Sequence, residues 1–526
     1  MNIEVKSFSN RARQAVVNRD WRTVAACANS ILQLDEKSAE GYFLKGMFER
    51  AQRQYEAAVA SFGRAYDIDG TRYDAAVELA NLYSMRRRNG EAARLLDQVA
   101  PLLSNSPRYL DLAGTVYTDI GLSDRAWPLF KQANTLQPGI DMFESNLATC
   151  AVFLGKIDEG KAVYQRLLAR NPAHRKNHYQ LSRLAKATDL AHIHQMQALL
   201  QETVQDPAQN IPILFAIAKE LEDLGHWEEC FSYYHQACDA VCRVTGYEVD
   251  PDIQVIEQLI DTCDANWLNQ PVDTQPSIEK TPIFIVGLPR TGTTLVERIL
   301  SSHSQVSSLG ETLFLQMGLM QLSGMTERTA IDVETIKALK DKDFSQLAAG
   351  YLDAVTYRLG SEPLFIEKLP FNFLYAGFIA KAWPNAKIVH LVRDPMDACF
   401  SMYKQVFTWA YKFSYSLSDL GRYYVAYNRL RQHWQQLLGE RFIEVRYEDV
   451  VMNQEQETRE LLQRLGLQFE DQCLDFEKNS APSTTASSVQ VRGKVHTGSV
   501  QKWRRFETQL QPLADYLREN GIDLDL

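Results

Sequence analysis

The sequence lacks the features that would place the protein in a membrane or in an oxidising compartment. It contains no apolar run near the ~20 residues that a membrane-spanning helix needs. Its first residues, MNIEVKSFSNRARQ, lack the apolar core of a signal peptide. The eight cysteines are scattered, with no CxxC pair and no zinc-like spacing. We therefore expect a cytoplasmic protein with reduced, buried thiols, no metal site and no membrane partner.

An excess of basic residues is also missing. Lys and Arg number 56 and Asp and Glu number 66, so the net charge is −10. This balance argues against a nucleic-acid partner, although a local basic pocket is compatible with it. Hydrophobic residues make up 45% and charged residues 23% of the 526 positions, which excludes disorder over most of the chain. At ~150 residues per domain, this length allows roughly two to four domains.

The first half of the chain repeats every 34 residues. Small and large apolar residues recur in register: Gly46, Ala80, Gly114 and Ala148, then Ala58, Ala92, Ala126 and Gly160, then Phe62, Leu96, Phe130 and Tyr164. Small residues fit where the two helices of a hairpin cross closely, and large ones fill the gap to the next hairpin. Pro138 and Pro172 close two repeats, because proline cannot continue a helix. We predict an all-α solenoid of helical hairpins over residues 1–268.

The 34-residue pattern resembles the tetratricopeptide repeat, a helix-turn-helix unit that stacks into a superhelix. A weaker repeat extends from Ala218 to Ala237, whereas the segment from about 175 to 210 has a helical pattern but is out of register. The resemblance implies a groove that holds an extended peptide or a partner protein. Two alternatives stay open. The repeats could only scaffold the second half of the chain, or they could mediate self-association into a homo-oligomer.

A polar linker with three prolines, residues 269–282, follows the predicted solenoid. Beyond it, short apolar runs at 283–286, 387–392 and 442–447 are separated by helical stretches. Strands that alternate with helices indicate an α/β domain with a central parallel sheet. We predict that this domain occupies residues 283–526.

A glycine-containing turn leads from the first predicted strand into an amphipathic helix. Gly287 and Gly292 have the spacing of the phosphate loop GxxxxGK[ST], but Thr293 stands at the position of its lysine. A strand, a glycine turn and a helix N-terminus form an anion site, because backbone N–H groups and the helix dipole point at one place. Without the lysine, a kinase or triphosphatase is disfavoured, and Arg290 is the cation inside the loop.

A second anion-binding pattern follows the predicted strand 387–392. Arg393 comes directly after this strand, and Ser401 lies eight residues later. Eight residues are about two helical turns, so a helix that begins near Asp394 or Pro395 would turn Ser401 back toward Arg393. An arginine and a hydroxyl at the carboxyl end of a strand suit a phosphate monoester.

Three segments, PIFIVGLPRTGTTLVERILSSHSQV, LPFNFLYAGFIAKAWPNAKIVHLVRDPMDACFSMY and EVRYEDVV, resemble sulfotransferases of the tetratricopeptide-repeat type. The catalytic half of these bacterial proteins is similar to protein-tyrosine sulfotransferases. The resemblance implies a P-loop-like domain that uses 3′-phosphoadenosine 5′-phosphosulfate as co-substrate, releases 3′-phosphoadenosine 5′-phosphate and needs no metal. The donor-binding residues that it implies are Arg290, Thr291, Gly292, Thr293, Thr294, Arg393, Ser401, Tyr447, Ser488, Arg492 and Lys502. Among them, Arg393 and Ser401 would hold the 3′-phosphate.

The resemblance also implies catalytic roles. Glu311 matches the base that takes the acceptor proton, and Ser488 matches a serine that helps to stabilise the transfer. Arg290 and Lys368 would screen the charge that develops on the bridging oxygen. The match is incomplete, because a single carboxylate, Glu311, stands where two acidic residues are common, and Thr291 replaces the usual serine. The membrane anchor of the animal enzymes is also missing from the sequence.

We therefore predict an enzyme that moves a sulfuryl group to an acceptor hydroxyl by metal-free in-line transfer. A protein tyrosine held by the repeat groove is the first-choice acceptor, and a glycan or a small phenol is the alternative. A second hypothesis is a repeat-based binding protein with an inactive sulfotransferase domain. The complete set of site residues argues against that second hypothesis.

Overall fold

The computed structural model describes residues 3–202, 206–270, 280–326, 330–407, 410–485 and 487–524. The chain forms two compact units, Met1–Lys156 and Ile157–Leu526. Most of the predicted linker, residues 271–279, lies outside the described residues. The division between these compact units, at residues 156 and 157, differs from the predicted domain boundary between residues 268 and 283. The division does not test that boundary, which stays a prediction. Within the described ranges, every helix is too short or too polar to span a bilayer.

The first unit is all-helical. Its helices are α1 (Ile3–Val17), α2 (Trp21–Leu34), α3 (Ala39–Ala51), α4 (Tyr55–Ile68), α5 (Tyr73–Met85), α6 (Asn89–Val99), α7 (Pro107–Asp119), α8 (Ser123–Leu136) and α9 (Asp141–Phe153). Consecutive helices pack in pairs, α1 with α2, α3 with α4, α5 with α6 and α7 with α8. This pairing confirms the helical hairpins that the 34-residue pattern predicts.

The small residues of the pattern lie where the helices of a hairpin cross. A Cβ atom added to Gly46 of α3 would come within 2.8 Å of the ring of Phe62 on α4. The same addition at Gly114 of α7 would come within 2.7 Å of the ring of Phe130 on α8. No side chain fits at such distances, so the glycines allow the aromatic rings to lie directly against the partner helix.

The second unit begins with further helices. These are α10 (Ile157–Arg170), α11 (Arg175–Leu184), α12 (Ala191–Leu200), α13 (Ile211–Leu224), α14 (Trp227–Thr245), α15 (Asp250–Thr262) and α16 (Ala265–Leu268). Helices α13 and α14 form the hairpin predicted between Ala218 and Ala237, and Gly225 ends α13 in the left-handed conformation (φ +82°). The out-of-register segment is helical as well, in α11 and α12.

A five-stranded parallel sheet forms the centre of the second unit. Its strands are β1 (Thr281–Gly287), β2 (Val306–Ser308), β3 (Leu364–Lys368), β4 (Lys387–Val392) and β5 (Phe442–Arg446), in the order β2-β3-β1-β4-β5. All four strand pairings are parallel. The predicted parallel sheet and the predicted strands β1, β4 and β5 are therefore confirmed, whereas β2 and β3 were not predicted.

The helices that connect and follow the strands complete the α/β part. They are α17 (Thr293–Ser301), α18 (Phe314–Ser323), α19 (Val333–Leu339), α20 (Ser345–Val355), α21 (Ala376–Ala382), α22 (Pro395–Tyr403), α23 (Leu417–Leu438), α24 (Tyr447–Met452), α25 (Gln454–Arg464) and α26 (Glu507–Glu519). Helices α18 to α23 and α26 share one hydrophobic core with helices α12 to α16, whereas α17, α24 and α25 pack in a second core. The rings of Tyr234 on α14 and Phe400 on α22 lie 6.4 Å apart, and those of Trp267 on α16 and Phe378 on α21 lie 5.7 Å apart.

Candidate functional site

The carboxyl ends of four neighbouring strands bring the predicted site residues to one edge of the sheet. The phosphate loop follows β1, Lys368 ends β3, Arg393 follows β4 and Tyr447 follows β5. Because these strands are parallel, their carboxyl ends meet at the same edge, which is where open α/β sheets bind ligands.

The phosphate loop turns sharply into helix α17. The Thr291 hydroxyl donates to the carbonyl of Leu288 (2.7 Å) and closes the turn. Gly292 has a φ of +98°, and a Cβ atom added there would lie 2.5 Å from Cδ2 of Tyr447. Thr293 and Thr294 then begin the helix, so their backbone N–H groups have no intrahelical acceptor. Glycine at position 292 therefore allows the Tyr447 ring to pack directly against the loop, beside a helix N-terminus that favours an anion.

Arg393 connects this loop to helix α22. Its guanidinium donates to the carbonyl of Arg290 (2.9 Å), to the hydroxyl of Ser401 (3.2 Å) and to the carbonyl of Ser499 (2.6 Å). Helix α22 begins at Pro395, and Asp394 caps it by accepting from the backbone N–H of Asp397 (2.7 Å). The spacing between Arg393 and Ser401 thus produces the contact that the sequence predicts.

Tyr447 lies between the two anion-binding elements. Its ring packs beneath the guanidinium of Arg393, 4.8 Å from the ring centroid, and its hydroxyl lies 2.6 Å from that of Ser499. The same ring is the group that a side chain at position 292 would meet. Tyr447 therefore fixes both Arg393 and the space in front of the phosphate loop.

These elements enclose a cavity of about 240 Å³. Eight of the eleven predicted donor-binding residues line it: Arg290, Gly292, Thr293, Thr294, Arg393, Ser401, Tyr447 and Lys502. The lining also includes Lys404, Ser487, Gln490, Lys494 and Ser499. The cavity is rich in cations and in hydroxyl and backbone donors, the groups that bind phosphate esters in proteins.

The cations of the cavity repel one another. Burial, together with the charges of Arg393 and Arg183, lowers the pKa of Arg290 to about 10. The Arg290 guanidinium donates to two neutral groups, the hydroxyl of Ser487 (2.5 Å) and the side-chain carbonyl of Gln490 (2.9 Å). A cation held among like charges and neutral partners is stabilised by an incoming anion.

Glu311 and Lys368 form a separate cluster at the same edge of the sheet. The fully buried Lys368 ammonium lies 2.5 Å from Oε1 of Glu311 and 3.7 Å from Oε2 of Glu297. The Glu311 side chain is 37% exposed, so solvent or a ligand can approach its carboxylate. Glu297 accepts from the hydroxyl of Ser308 (2.7 Å). Neither Glu311 nor Lys368 is among the residues that line the cavity.

Three predicted donor-binding residues lie away from the cavity lining. Thr291 holds the turn of the phosphate loop, as described above. Ser488 is buried, and its backbone N–H donates to the carbonyl of Thr485 (3.1 Å). Arg492 donates to the carbonyls of Asn479 (2.8 Å) and Ala481 (2.9 Å). Their roles stay predictions.

Sequence reasoning did not single out Lys404 or Ser487. Lys404 lies three residues after Ser401, at the end of α22, so the helical spacing could have placed both on one face. Ser487 is in a segment without periodicity, and no signal in the sequence marks it. It is Ser487, and not its predicted neighbour Ser488, whose hydroxyl contacts Arg290.

Comparison with known proteins identifies two families. Residues 282–471 match the model of the sulfotransferase family, and residues 49–114 match a tetratricopeptide repeat model. An uncharacterized protein of Aquifex aeolicus is 28% identical over 426 residues, which are 80% of this chain and 56% of that protein. This chain thus spans little more than half the length of that relative.

Curated relatives also match the catalytic half. A putative protein-tyrosine sulfotransferase of Caenorhabditis briggsae is 26% identical over 233 residues, 42% of this chain and 80% of that protein. Among solved structures, a sulfotransferase domain from the curacin biosynthetic pathway is 20% identical, covering 47% of this chain and 100% of that chain at a TM-score of 0.33. With its phosphate loop and parallel sheet, the C-terminal part of this chain is a sulfotransferase-family domain, and a tetratricopeptide-repeat region precedes it.

Proposed function

We propose that the protein transfers a sulfuryl group from 3′-phosphoadenosine 5′-phosphosulfate to an acceptor hydroxyl, with a protein tyrosine as the leading acceptor. The observation that carries this proposal is the cavity where the phosphate loop, the Arg393–Ser401 pair and Tyr447 meet. An adenosine bisphosphate carries two phosphates and needs two anion-binding elements on one cavity wall. A ligand with a single phosphate would need only the phosphate loop.

The residues at the cavity fit such a donor. Thr293 and Thr294 line the cavity at the N-terminus of α17, where the 5′-phosphosulfate would lie. The Nε–H of Arg393 is buried and has no hydrogen-bond partner among the described residues, so the guanidinium retains an unused donor. Arg393 and Ser401 would hold the 3′-phosphate, while Arg290, Thr293 and Thr294 would hold the sulfated end.

Thr293 disfavours the kinase alternative. A nucleotide triphosphatase loop places a lysine at this position to contact the β- and γ-phosphates. Thr293 is buried at the first position of α17 and carries no charge. ATP lacks the 3′-phosphate, so it would leave Arg393 and Ser401 without their anion.

The bound donor would supply an activated sulfuryl group, and the protein positions the reactants and neutralises charge. Glu311 takes the proton of the acceptor hydroxyl, since its carboxylate is partly exposed. That proton removes the nearer of the two negative charges beside the Lys368 ammonium. Lys368 then stabilises the negative charge on the leaving oxygen more strongly. The contact between Glu311 and Lys368 therefore couples proton removal to charge stabilisation.

The choice of a protein tyrosine as acceptor is supported by two observations. Relatives that match the catalytic half are named protein-tyrosine sulfotransferases, among them one of Danio rerio that is 26% identical over 233 residues. The repeat region provides helical hairpins of a kind that commonly bind peptides. A glycan or a small phenol would use the same chemistry.

Ser401→Ala tests the donor site. Calorimetry should show weaker binding of 3′-phosphoadenosine 5′-phosphate by about tenfold or more, because one hydrogen bond to a charged group contributes ~1.5–3 kcal/mol. Binding of AMP, which has no 3′-phosphate, should not change. Arg393→Ala should cost both ligands affinity, since Arg393 also holds the loop carbonyl of Arg290 (2.9 Å). An unchanged preference for the bisphosphate over AMP in Ser401→Ala would refute the assignment.

The acceptor is tested with labelled sulfuryl donor. The full-length protein should label tyrosine peptides and leave matched peptides with phenylalanine unlabelled. Equal labelling of both peptides, or labelling of glycans or small phenols alone, would reject the tyrosine assignment while keeping sulfuryl transfer.

A further inference from the structure

A second cavity, of about 230 Å³, adjoins the first. The two share the lining residues Arg290, Ser401, Lys404, Gln490 and Lys502. The remaining wall of the second cavity comes largely from the helices that precede the sheet, through Tyr179, Arg183, Phe215, Lys219, Glu222, Asp223 and Tyr234. Side chains of α11, α13 and α14 thus reach the cations of the first cavity, the proposed donor cavity.

Glu222 makes the closest of these contacts. Its carboxylate lies 2.8 Å and 3.2 Å from the ammonium of Lys404, pairs with the ammonium of Lys502 and accepts from the hydroxyl of Tyr234 (3.0 Å). The Glu222 side chain is only 7% exposed, and that of Lys404 only 18%. Both lysines also line the donor cavity, so one buried carboxylate fixes two cations of that cavity.

The charges explain why a carboxylate belongs there. Burial disfavours the charged form of Glu222, but the ammonium groups of Lys404 and Lys502 outweigh it and lower the pKa of Glu222 to about 2. Burial lowers the pKa of Lys404, and the charges of Lys502 and Arg290 lower it further, while Glu222 opposes both effects. Without Glu222, Lys404 would be a buried cation with no carboxylate in direct contact among the described residues.

We propose that Glu222, on a helix before the sheet, is a positioning residue of the donor site that holds the ammonium groups of Lys404 and Lys502 in place for the donor phosphates. This inference rests on the proposed function, because it assumes that the cavity binds the bisphosphate product. It assigns part of the donor site to helix α13, within the region where the sequence shows only repeats.

The ionisable groups around Lys404 come from several elements. They are Glu222, Asp223, Lys219, Arg183, Tyr179, Cys230 and Tyr234 from the helices before the sheet, and Arg290, Arg393, Tyr447, Lys494, His496 and Lys502 from the α/β part. Glu222 is the carboxylate that contacts Lys404 directly. Substitution of Glu222 should therefore remove the direct carboxylate contact of Lys404.

Glu222→Gln tests the inference, because it keeps the shape and an acceptor oxygen but removes the charge. In the free variant the pKa of Lys404 should fall, and the bound product should restore it, so binding should take up about one proton. The affinity of Glu222→Gln should then fall by up to about tenfold per pH unit as the pH rises. Measurements above about pH 7.5 avoid the ionisation of the phosphate itself, with a pKa of about 6.

Calorimetric titration with 3′-phosphoadenosine 5′-phosphate, in two buffers of different ionisation enthalpy, counts the protons. Asp223→Asn is the matched control, because Asp223 is on the same helix but pairs with Lys219 (2.7 Å). Wild-type protein and Asp223→Asn should take up few protons in this pH range. Adding Lys404→Gln to Glu222→Gln should abolish the extra uptake.

The outcomes separate the inference from the proposed function. If wild-type protein does not bind the product, the proposed function fails. If it binds and Glu222→Gln takes up no more protons than wild type, only the role of Glu222 is refuted. If Glu222→Gln does not fold, Lys404→Gln alone tests the pair. It should weaken product binding at least fivefold, and an unchanged affinity would overturn the inference.

Discussion

Replacing Glu311 by glutamine separates the two roles that its carboxylate has at the sheet edge. The carboxylate is the proposed base, and it is also the nearer of two acidic partners of Lys368, at 2.5 Å compared with 3.7 Å for Glu297. The Coulomb energy of two charges falls as the inverse of their distance. The attraction energy between Glu311 and Lys368 is therefore about one and a half times that between Glu297 and Lys368. A matched variant, Glu297→Gln, removes the weaker attraction and leaves the proposed base intact.

The expected magnitudes differ for rate, binding and stability. Glu311→Gln should lower the rate of transfer by ~10²-fold or more, the usual effect of losing a positioned base. Product affinity should stay within about twofold, because Glu311 does not line the donor cavity. The free energy of unfolding should fall by about 1–3 kcal/mol, since the buried Lys368 loses its charged partner but keeps an amide acceptor.

Single-turnover transfer with labelled donor measures the chemical step without product release. Glu297→Gln should lose stability without the hundredfold loss in rate. A phenol acceptor of lower pKa should partly restore Glu311→Gln, because its proton needs less help to leave. Equal losses of rate in the two variants would refute the base and would show that both carboxylates only hold Lys368.

Three further predictions concern the cavity and the core. Gly292→Ala should lower product affinity at least tenfold in calorimetry and destabilise the protein by about 1–3 kcal/mol, because its Cβ would lie 2.5 Å from Tyr447 at a φ of +98°. Burial, with the charge of Arg431, lowers the pKa of His390 to about 3. Denaturant titrations should therefore show that the free energy of unfolding falls from about pH 6.5 toward pH 3, by at most ~1.4 kcal/mol per pH unit. The variant His390→Gln should show a smaller dependence on pH. By circular dichroism and calorimetry, a chain that begins at residue 157 should fold and bind the product, whereas one that begins at residue 281 should aggregate.

Features with strong local signals could be predicted from the sequence. The helical hairpins follow from small residues that recur at a fixed period, and Gly46 and Gly114 show the close packing that requires them. Strand β1 is a continuous apolar run and strands β4 and β5 are mostly apolar, as buried parallel strands usually are. The contact of Arg393 with Ser401 follows from helical geometry over eight residues.

Features that depend on tertiary contacts could not be predicted in this way. Strand β3 ends in Glu367 and Lys368, two charged residues that are fully buried, so its sequence does not resemble a core strand. Glu367 is accommodated because the side chains of Tyr351 and Asn372 donate to it. Strand β2 has only three residues, two of them serine, and exists because it pairs with β3.

The helices before the sheet are another feature that depends on tertiary contacts. They contribute to the core and to the proposed donor site as well as forming hairpins. Their pattern indicates only stacked hairpins, yet α13 and α14 share a hydrophobic core with α22, and Glu222 contacts Lys404 and Lys502, which line the proposed donor cavity. A buried cation needs a counter-charge in a fixed place, and helix α13 is where this one is provided. Donor binding should therefore depend on the second unit as a whole, Ile157–Leu526, and not only on the segment that matches the sulfotransferase family.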